Sequence, residues 1–224
     1  MEEHHITVPR TARYHTLGQA ATARELWMVL HGYGQLARFF LRPFEGLENG
    51  RLIAAPEGLS RFYTDEAHSR VGATWMTRED REAEIRDQAS YLDALAEHLL
   101  AQCPPNTPLH VLGFSQGVAT VCRWAMAPAF PIQRMVLWAG SMATELKVPQ
   151  LAACWKNTKL VLVRGRQDHL VGQEELERSE ARLREARVNF RTIHFPGGHA
   201  LDRVMLRQVM NDDPPAPGPR YPSE

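Results

Sequence analysis

Short apolar runs recur along the chain, with helix-patterned stretches between them. Residues 26–30, 52–55, 109–112, 135–138 and 160–163 are dominated by Leu, Val, Ile, Met, Ala and Trp. A strand with one wet face alternates polar and apolar residues, whereas a strand covered on both faces does not. These runs therefore predict parallel strands inside a layered fold, and residues 189–195 predict one more. Segments 6–8 and 14–17 predict an antiparallel edge pair. The stretch 79–102 places Ile85, Ala89, Leu92, Ala96 and Leu99 on one helical face, with Thr77 and Asp80 as a capping signal. Residues 173–187 pair Glu174 with Arg178 and Glu180 with Arg184, as an exposed helix does. A last helix is expected over 200–210, with Leu201, Val204 and Met205 inward. Strands alternating with helices predict an α/β class, a mostly parallel doubly wound sheet with helices on both faces.

A chain of 224 residues suits one domain, and no boundary interrupts residues 1–212. Residues 213–224 form a Pro-rich tail, with Pro214, Pro215, Pro217 and Pro219 unable to continue a helix. Acidic and basic residues balance at 26 each, so a nucleic-acid partner, which needs basic excess, is not expected. Only Lys147, Lys156 and Lys159 are lysines. The arginine bias reads as compositional, because an anion-binding surface needs clustering that the linear sequence does not display. Cys103, Cys122 and Cys154 are widely spaced and lack zinc-ligand spacing, which suits reduced thiols in the cytoplasm. The start, Met1-Glu2-Glu3-His4-His5, has neither a basic region nor an apolar core, so no secretory leader is expected. No run near membrane-spanning length is uniformly apolar, so no stable membrane anchor is expected.

The sharpest chemical signal is Gly113-Phe114-Ser115-Gln116-Gly117, placed between the strand 109–112 and a helix over 118–127. A serine on a tight strand–turn–helix corner is held clear of the sheet, beside the positive end of a helix dipole. Strand and helix approach closely there, which calls for glycine on either side. A second signal, His31-Gly32-Tyr33-Gly34-Gln35, follows the buried run 26–30. Acyl transfer needs two N–H donors aimed at a developing oxyanion. The Gln116 backbone N–H supplies one and the Tyr33 N–H is assigned the other; a plain tight turn at 31–35 is the alternative.

A serine nucleophile needs a base, and the base needs an orienting acid. Among the ten histidines, His199 lies after the last strand and before the last helix. The chain order serine, acid, histidine selects it over His31, while His194 is expected to be packed in its strand. Asp168 follows the strand 160–163 and is the candidate acid, with Glu145 as runner-up and Asp202 as a helix-start residue.

Together these segments resemble the α/β-hydrolase superfamily. More narrowly, they resemble the phospholipase/carboxylesterase family of small serine esterases, which includes the acyl-protein thioesterases. The resemblance runs from about Leu26 to about Met210, and Gly-Phe-Ser-Gln-Gly is its most specific part. It implies a single α/β-hydrolase domain over 1–212 without a large lid domain. It also implies a small-molecule ester or thioester substrate, no metal or cofactor, and dimers in many members. Family members often carry Leu where this chain has Tyr33, and an aromatic pair where it has Trp75-Met76. Trp75 then becomes either an acyl-pocket wall or a residue packed under the loop. Tyr63 and Leu170 are further candidate substrate contacts, and the long 56–78 connection suggests function.

The reading is a cytoplasmic serine hydrolase of carboxylic esters, with Ser115, Asp168 and His199 catalytic and Tyr33 and Gln116 at the oxyanion. A thioesterase uses the same machinery. A non-catalytic ligand-binding module of the same fold is the alternative from another class.

Overall fold

The computed structural model describes residues 1–211. In chain order its elements are β1 (Tyr14–Leu17), β2 (Glu25–Leu30), α1 (Ala37–Phe40), β3 (Arg51–Pro56), β4 (Ser60–Tyr63), β5 (Val71–Thr74), α2 (Arg81–Leu100), β6 (Leu109–Phe114), α3 (Gln116–Trp124), β7 (Ile132–Trp138), α4 (Val148–Trp155), β8 (Lys159–Gly165), α5 (Gln173–Glu185), β9 (Phe190–Phe195) and α6 (Arg203–Asn211). The main sheet runs β1-β3-β2-β6-β7-β8-β9. Every neighbouring pair from β3 to β9 is parallel, and only β1 is antiparallel.

Both faces of this sheet are covered, which explains the unbroken apolar runs. On β2, Leu26, Met28 and Leu30 enter one core layer, with Leu92 of α2, Val118 of α3, Leu151 of α4 and Leu183 of α5. Trp27 and Val29 point the other way, into a layer with Phe40 of α1 and Leu206 and Val209 of α6. Burying one such side chain contributes about 1.5–3 kcal/mol. The result is the α/β-hydrolase arrangement, without a large extra domain. In a doubly wound sheet of this kind, ligands bind beyond the carboxyl ends of the parallel strands.

Several local expectations are corrected. Segment 6–8 forms no strand, and β1 pairs instead with β3, from Tyr14 opposite Pro56 to Leu17 opposite Ile53. That pairing covers an edge of the sheet that would otherwise stay open. Asp80 does precede α2, but its backbone is left-handed at φ 43° and its side chain does not cap the helix. Glu84 Oε2 instead accepts the Thr77 N–H at 2.5 Å. The last helix starts at Arg203, because Asp202 caps it by accepting the Met205 N–H on Oδ1 at 2.8 Å. Its buried face is Leu206, Val209 and Met210, so Val204 lies in solvent while Leu201 and Met205 pack as expected. The 56–78 connection folds into the hairpin β4–β5. The Pro-rich tail expected over 213–224 lies outside the described residues.

Candidate active site

Ser115 sits between β6 and α3 with φ 53° and ψ −117°, a conformation that costs a non-glycine residue about 1–3 kcal/mol. The surrounding glycines show what holds it there. A Cβ on Gly117 would stand 2.4 Å from the Leu30 carbonyl oxygen. A Cβ on Gly113 would stand 2.4 Å from the Gly117 oxygen. The Ser115 N–H is anchored to the Trp138 carbonyl at 2.9 Å. Neighbouring strands and a close helix thus over-determine the turn and keep the serine at the carboxyl edge of the sheet.

The loop after β2 lies against this turn. A Cβ on Gly32 would be 3.1 Å from Ser115 Cβ, so loop and serine are in close contact. His31 is fully buried and stacks on Trp75, with ring centroids 5.0 Å apart. Its Nε2 accepts the Gly58 N–H at 3.0 Å, so the proton must sit on Nδ1, which donates to the Gly32 carbonyl at 2.7 Å. Burial lowers the His31 pKa and keeps the ring neutral, as that bonding requires. The Gly32 N–H donates to Gln35 Oε1 at 2.8 Å, and the Gly34 N–H to the Ala73 carbonyl at 2.9 Å. In a trans peptide the C=O and the following N–H point opposite ways. Fixing the Gly32 carbonyl therefore fixes the direction of the Tyr33 N–H. Among the described residues, neither the Tyr33 nor the Gln116 backbone N–H donates to a protein acceptor.

His199 and Asp168 come from the loops after β9 and β8. His199 Nδ1 and Asp168 Oδ2 are 2.8 Å apart, and both side chains are largely buried. Asp168 Oδ1 accepts the Leu170 N–H at 3.0 Å, which fixes the carboxylate plane. The two loops are tied together: the Gln167 N–H donates to the Gly197 carbonyl at 2.9 Å. A Cβ on Gly165 would stand 2.3 Å from that same carbonyl, so this close approach needs glycine. The His199 ring lies 5.0 Å from the Phe114 ring, which brings it to the end of β6, the strand that Ser115 follows. The runner-up Glu145 is elsewhere, held by Arg123 and Arg81 at 2.6 Å each. His194 is exposed rather than packed, because its side of β9, at the edge of the sheet, faces solvent.

A cleft of about 370 Å³ opens beside His199, walled by Leu36, Phe39, Phe40, Val71, Phe114 and Leu201, among others. The expected substrate contacts do not line it. Trp75 is fully buried under the loop that follows β2, its Nε1 donating to the His31 carbonyl at 2.8 Å. A tryptophan whose N–H and stacking face are both taken by the scaffold cannot also wall the cleft. Tyr63 is exposed on the hairpin, against His68, and Leu170 is 77% exposed. Part of the cleft wall comes instead from Leu36, Phe39, Phe40 and Pro43, on and around α1, which carry no motif of their own.

The side chain of Gln116 also has an unforeseen part. Its Nε2 donates to Thr74 Oγ1 at 2.8 Å and to the Met76 carbonyl at 3.0 Å, and its Oε1 accepts the Trp75 N–H at 3.2 Å. It thus clamps the strand end that carries Trp75. Only the Gln in Gly-Phe-Ser-Gln-Gly hinted at such a role. Glu57 was missed altogether. Its buried carboxylate accepts bonds from Arg13, Arg61 and the Ala37 N–H, joining β3 to the start of α1.

The comparisons with known proteins agree with this architecture. The phospholipase/carboxylesterase family model matches residues 18–212. No curated protein sequence matches the chain. Among solved structures, esterase PE8 superposes with a TM-score of 0.67 at 19% identity, covering 90% of this chain and 98% of its own. Acyl-protein thioesterase 2 of Zea mays gives 0.65 at 21%, over 89% and 96%. The Bacillus cereus carboxylesterase gives 0.65 at 13%, over 88% and 91%. No helix among the described residues is long and apolar enough to cross a membrane. With the family model spanning nearly the whole α/β sheet, the chain belongs to the phospholipase/carboxylesterase family of α/β-hydrolases.

Proposed function

We propose that the protein is a cytoplasmic serine hydrolase that cleaves carboxylic esters through an acyl-enzyme intermediate. The observation that carries this reading is Ser115 on its strained turn, with His199, hydrogen-bonded to Asp168, packed against the adjacent Phe114. Ser115 Oγ attacks the ester carbonyl carbon while its proton passes to His199 Nε2. Asp168 accepts a hydrogen bond from Nδ1–H, keeps the ring in the useful tautomer and stabilises the imidazolium. The carbonyl oxygen becomes an oxyanion held by the Tyr33 and Gln116 N–H groups. When the carbon–oxygen bond to the alcohol breaks, His199 returns the proton to the leaving alcoholate. A water then gives a proton to His199 and attacks the acyl carbon; the bond to Ser115 Oγ breaks, the acid leaves, and His199 returns that proton to Oγ.

Thioesters are the second reading, because a thiol is a good leaving group for the same machinery. The apolar cleft beside His199 supports an acyl chain in either case. The test is hydrolysis of p-nitrophenyl esters from acetate to palmitate beside the matching acyl thioesters, wild type against Ser115→Ala. Turnover of esters that vanishes in the variant supports the proposal. Turnover of thioesters alone moves the substrate class. Binding of esters without turnover would replace the enzyme by a ligand-binding module.

A further inference from the structure

The cleft beside His199 is uncharged along its walls, yet its mouth is cationic. Phe39, on α1, lines the cleft and remains 45% exposed. The guanidinium carbons of Arg38 and Arg42 lie 4.4 and 4.7 Å from its ring centroid. Both arginines are exposed, and neither has a carboxylate partner among the described residues. The nearest acid in sequence, Glu45, contributes only its backbone carbonyl, to Arg203 Nη2 at 2.6 Å. This concentration of positive charge occurs in a chain whose net charge is zero.

Stacking on Phe39 has a chemical consequence. A cation–π contact orders the guanidinium and leaves N–H donors on each arginine for another acceptor. Ordered guanidinium groups lose less freedom on binding, and their planar fork matches a carboxylate or phosphate. His199 and Phe39 line the same cleft, so an ester bound with its reacting carbonyl by His199 extends towards the two arginines.

We propose that Arg38 and Arg42 form an anion-recognition site at the mouth of the cleft, selecting esters with a carboxylate or phosphate on the part that fills it. The site rests on the ester-hydrolase reading, and it specifies the substrate class as anionic esters over neutral ones of equal length. Exposed charge-assisted contacts contribute modestly each, so the expected preference is about fivefold to tenfold in kcat/KM, expressed in KM.

The experiment compares 4-nitrophenyl hydrogen glutarate with its neutral methyl ester, in wild type and in Arg38→Gln/Arg42→Gln. Wild type should prefer the half-ester, and the double variant should bring the ratio of the two kcat/KM values close to one. Salt at about 0.5 M should shrink the wild-type preference, a reading that needs no variant. Glutarate and glycerol 3-phosphate, as competitors, tell a carboxylate site from a phosphate site. A wild-type enzyme that hydrolyses both esters equally overturns the inference and leaves the hydrolase reading standing. A preference retained in the double variant overturns the assignment to these arginines. Hydrolysis of neither ester removes the hydrolase reading, and this inference with it.

Discussion

The buried ring of His31 accepts the Gly58 N–H on Nε2 and, with its only proton thereby on Nδ1, holds the Gly32 carbonyl. One neutral side chain therefore connects the end of β3 to the peptide that aims the Tyr33 N–H. This makes His31 a positioning residue for the oxyanion loop, and His31→Phe tests it. The variant keeps an aromatic ring against Trp75 but leaves the Gly58 N–H unpaired and the Gly32 carbonyl with only the Gln35 N–H, at 3.3 Å. Loss of one oxyanion donor costs about 10²–10³ in kcat, so a loosened loop should cost about 10–10² with KM little changed. Steady-state kinetics on a p-nitrophenyl ester check this. A proportional rise in KM with unchanged kcat would place His31 in substrate binding instead.

Asp168→Asn keeps the shape of the side chain and removes its charge. An amide can present its NH₂ to His199 Nδ1, which favours the wrong tautomer. Turnover should fall by about 10³–10⁴ while the melting temperature changes little. Kinetics beside thermal unfolding separate this from simple destabilisation. Glu145→Gln, by contrast, should leave turnover close to wild type, because Glu145 pairs with Arg81 and Arg123 away from His199.

Glu57 holds α1 in place through a carboxylate with no exposed side-chain area. Bonds from Arg61, Arg13 and the Ala37 N–H outweigh the opposing burial and keep its pKa below the usual carboxylate value. Its contribution is present above the unfolded carboxylate pKa and is lost as pH falls through the folded one. Both arginines are partly exposed, so solvent screening reduces the effect. Glu57→Gln should cost about 2–3 kcal/mol at neutral pH, and the difference should shrink as pH falls through the lowered Glu57 pKa, by urea unfolding.

His110 governs the higher part of the acid response. Its ring is buried against Trp27, and burial pushes its pKa down to about 4, with Arg134 nearby adding to the shift and the Glu25 carboxylate opposing it. The unfolded histidine titrates near about 6.5. Stability is therefore full above that value and declines as pH falls towards about 4, because only the unfolded chain takes up the proton. The gap corresponds to about 3 kcal/mol. Wild type should lose more stability than His110→Phe between pH about 7 and about 4.5, measured by urea midpoints. Equal losses would show that His110 does not carry the effect.

The site was legible where backbone geometry itself demanded particular residues. Gly113 and Gly117 are forced by close backbone approach, so the serine turn is written locally. The order of apolar runs likewise marked β2, β3, β6, β7 and β8, because burial on both faces leaves no alternation, whereas β4 and β5 carry no such run. What escaped depended on distant contacts. Trp75 reads like a pocket wall until β5 brings it under His31. The cleft wall on α1 belongs to a four-residue helix, too short for a periodic signal. Val204 was assigned inward because a helix starting at Ala200 has a different phase from one capped by Asp202. Arg38 and Arg42 looked like ordinary composition until Phe39 placed them together at the cleft mouth.

The central claim is that Ser115 is the nucleophile. The most direct measurement is intact-protein and peptide mass after exposure to a fluorophosphonate probe, wild type beside Ser115→Ala. One adduct is expected, on Ser115, slowed strongly in His199→Ala and absent in Ser115→Ala. An unlabelled wild-type protein, or an adduct that persists in Ser115→Ala, would contradict it.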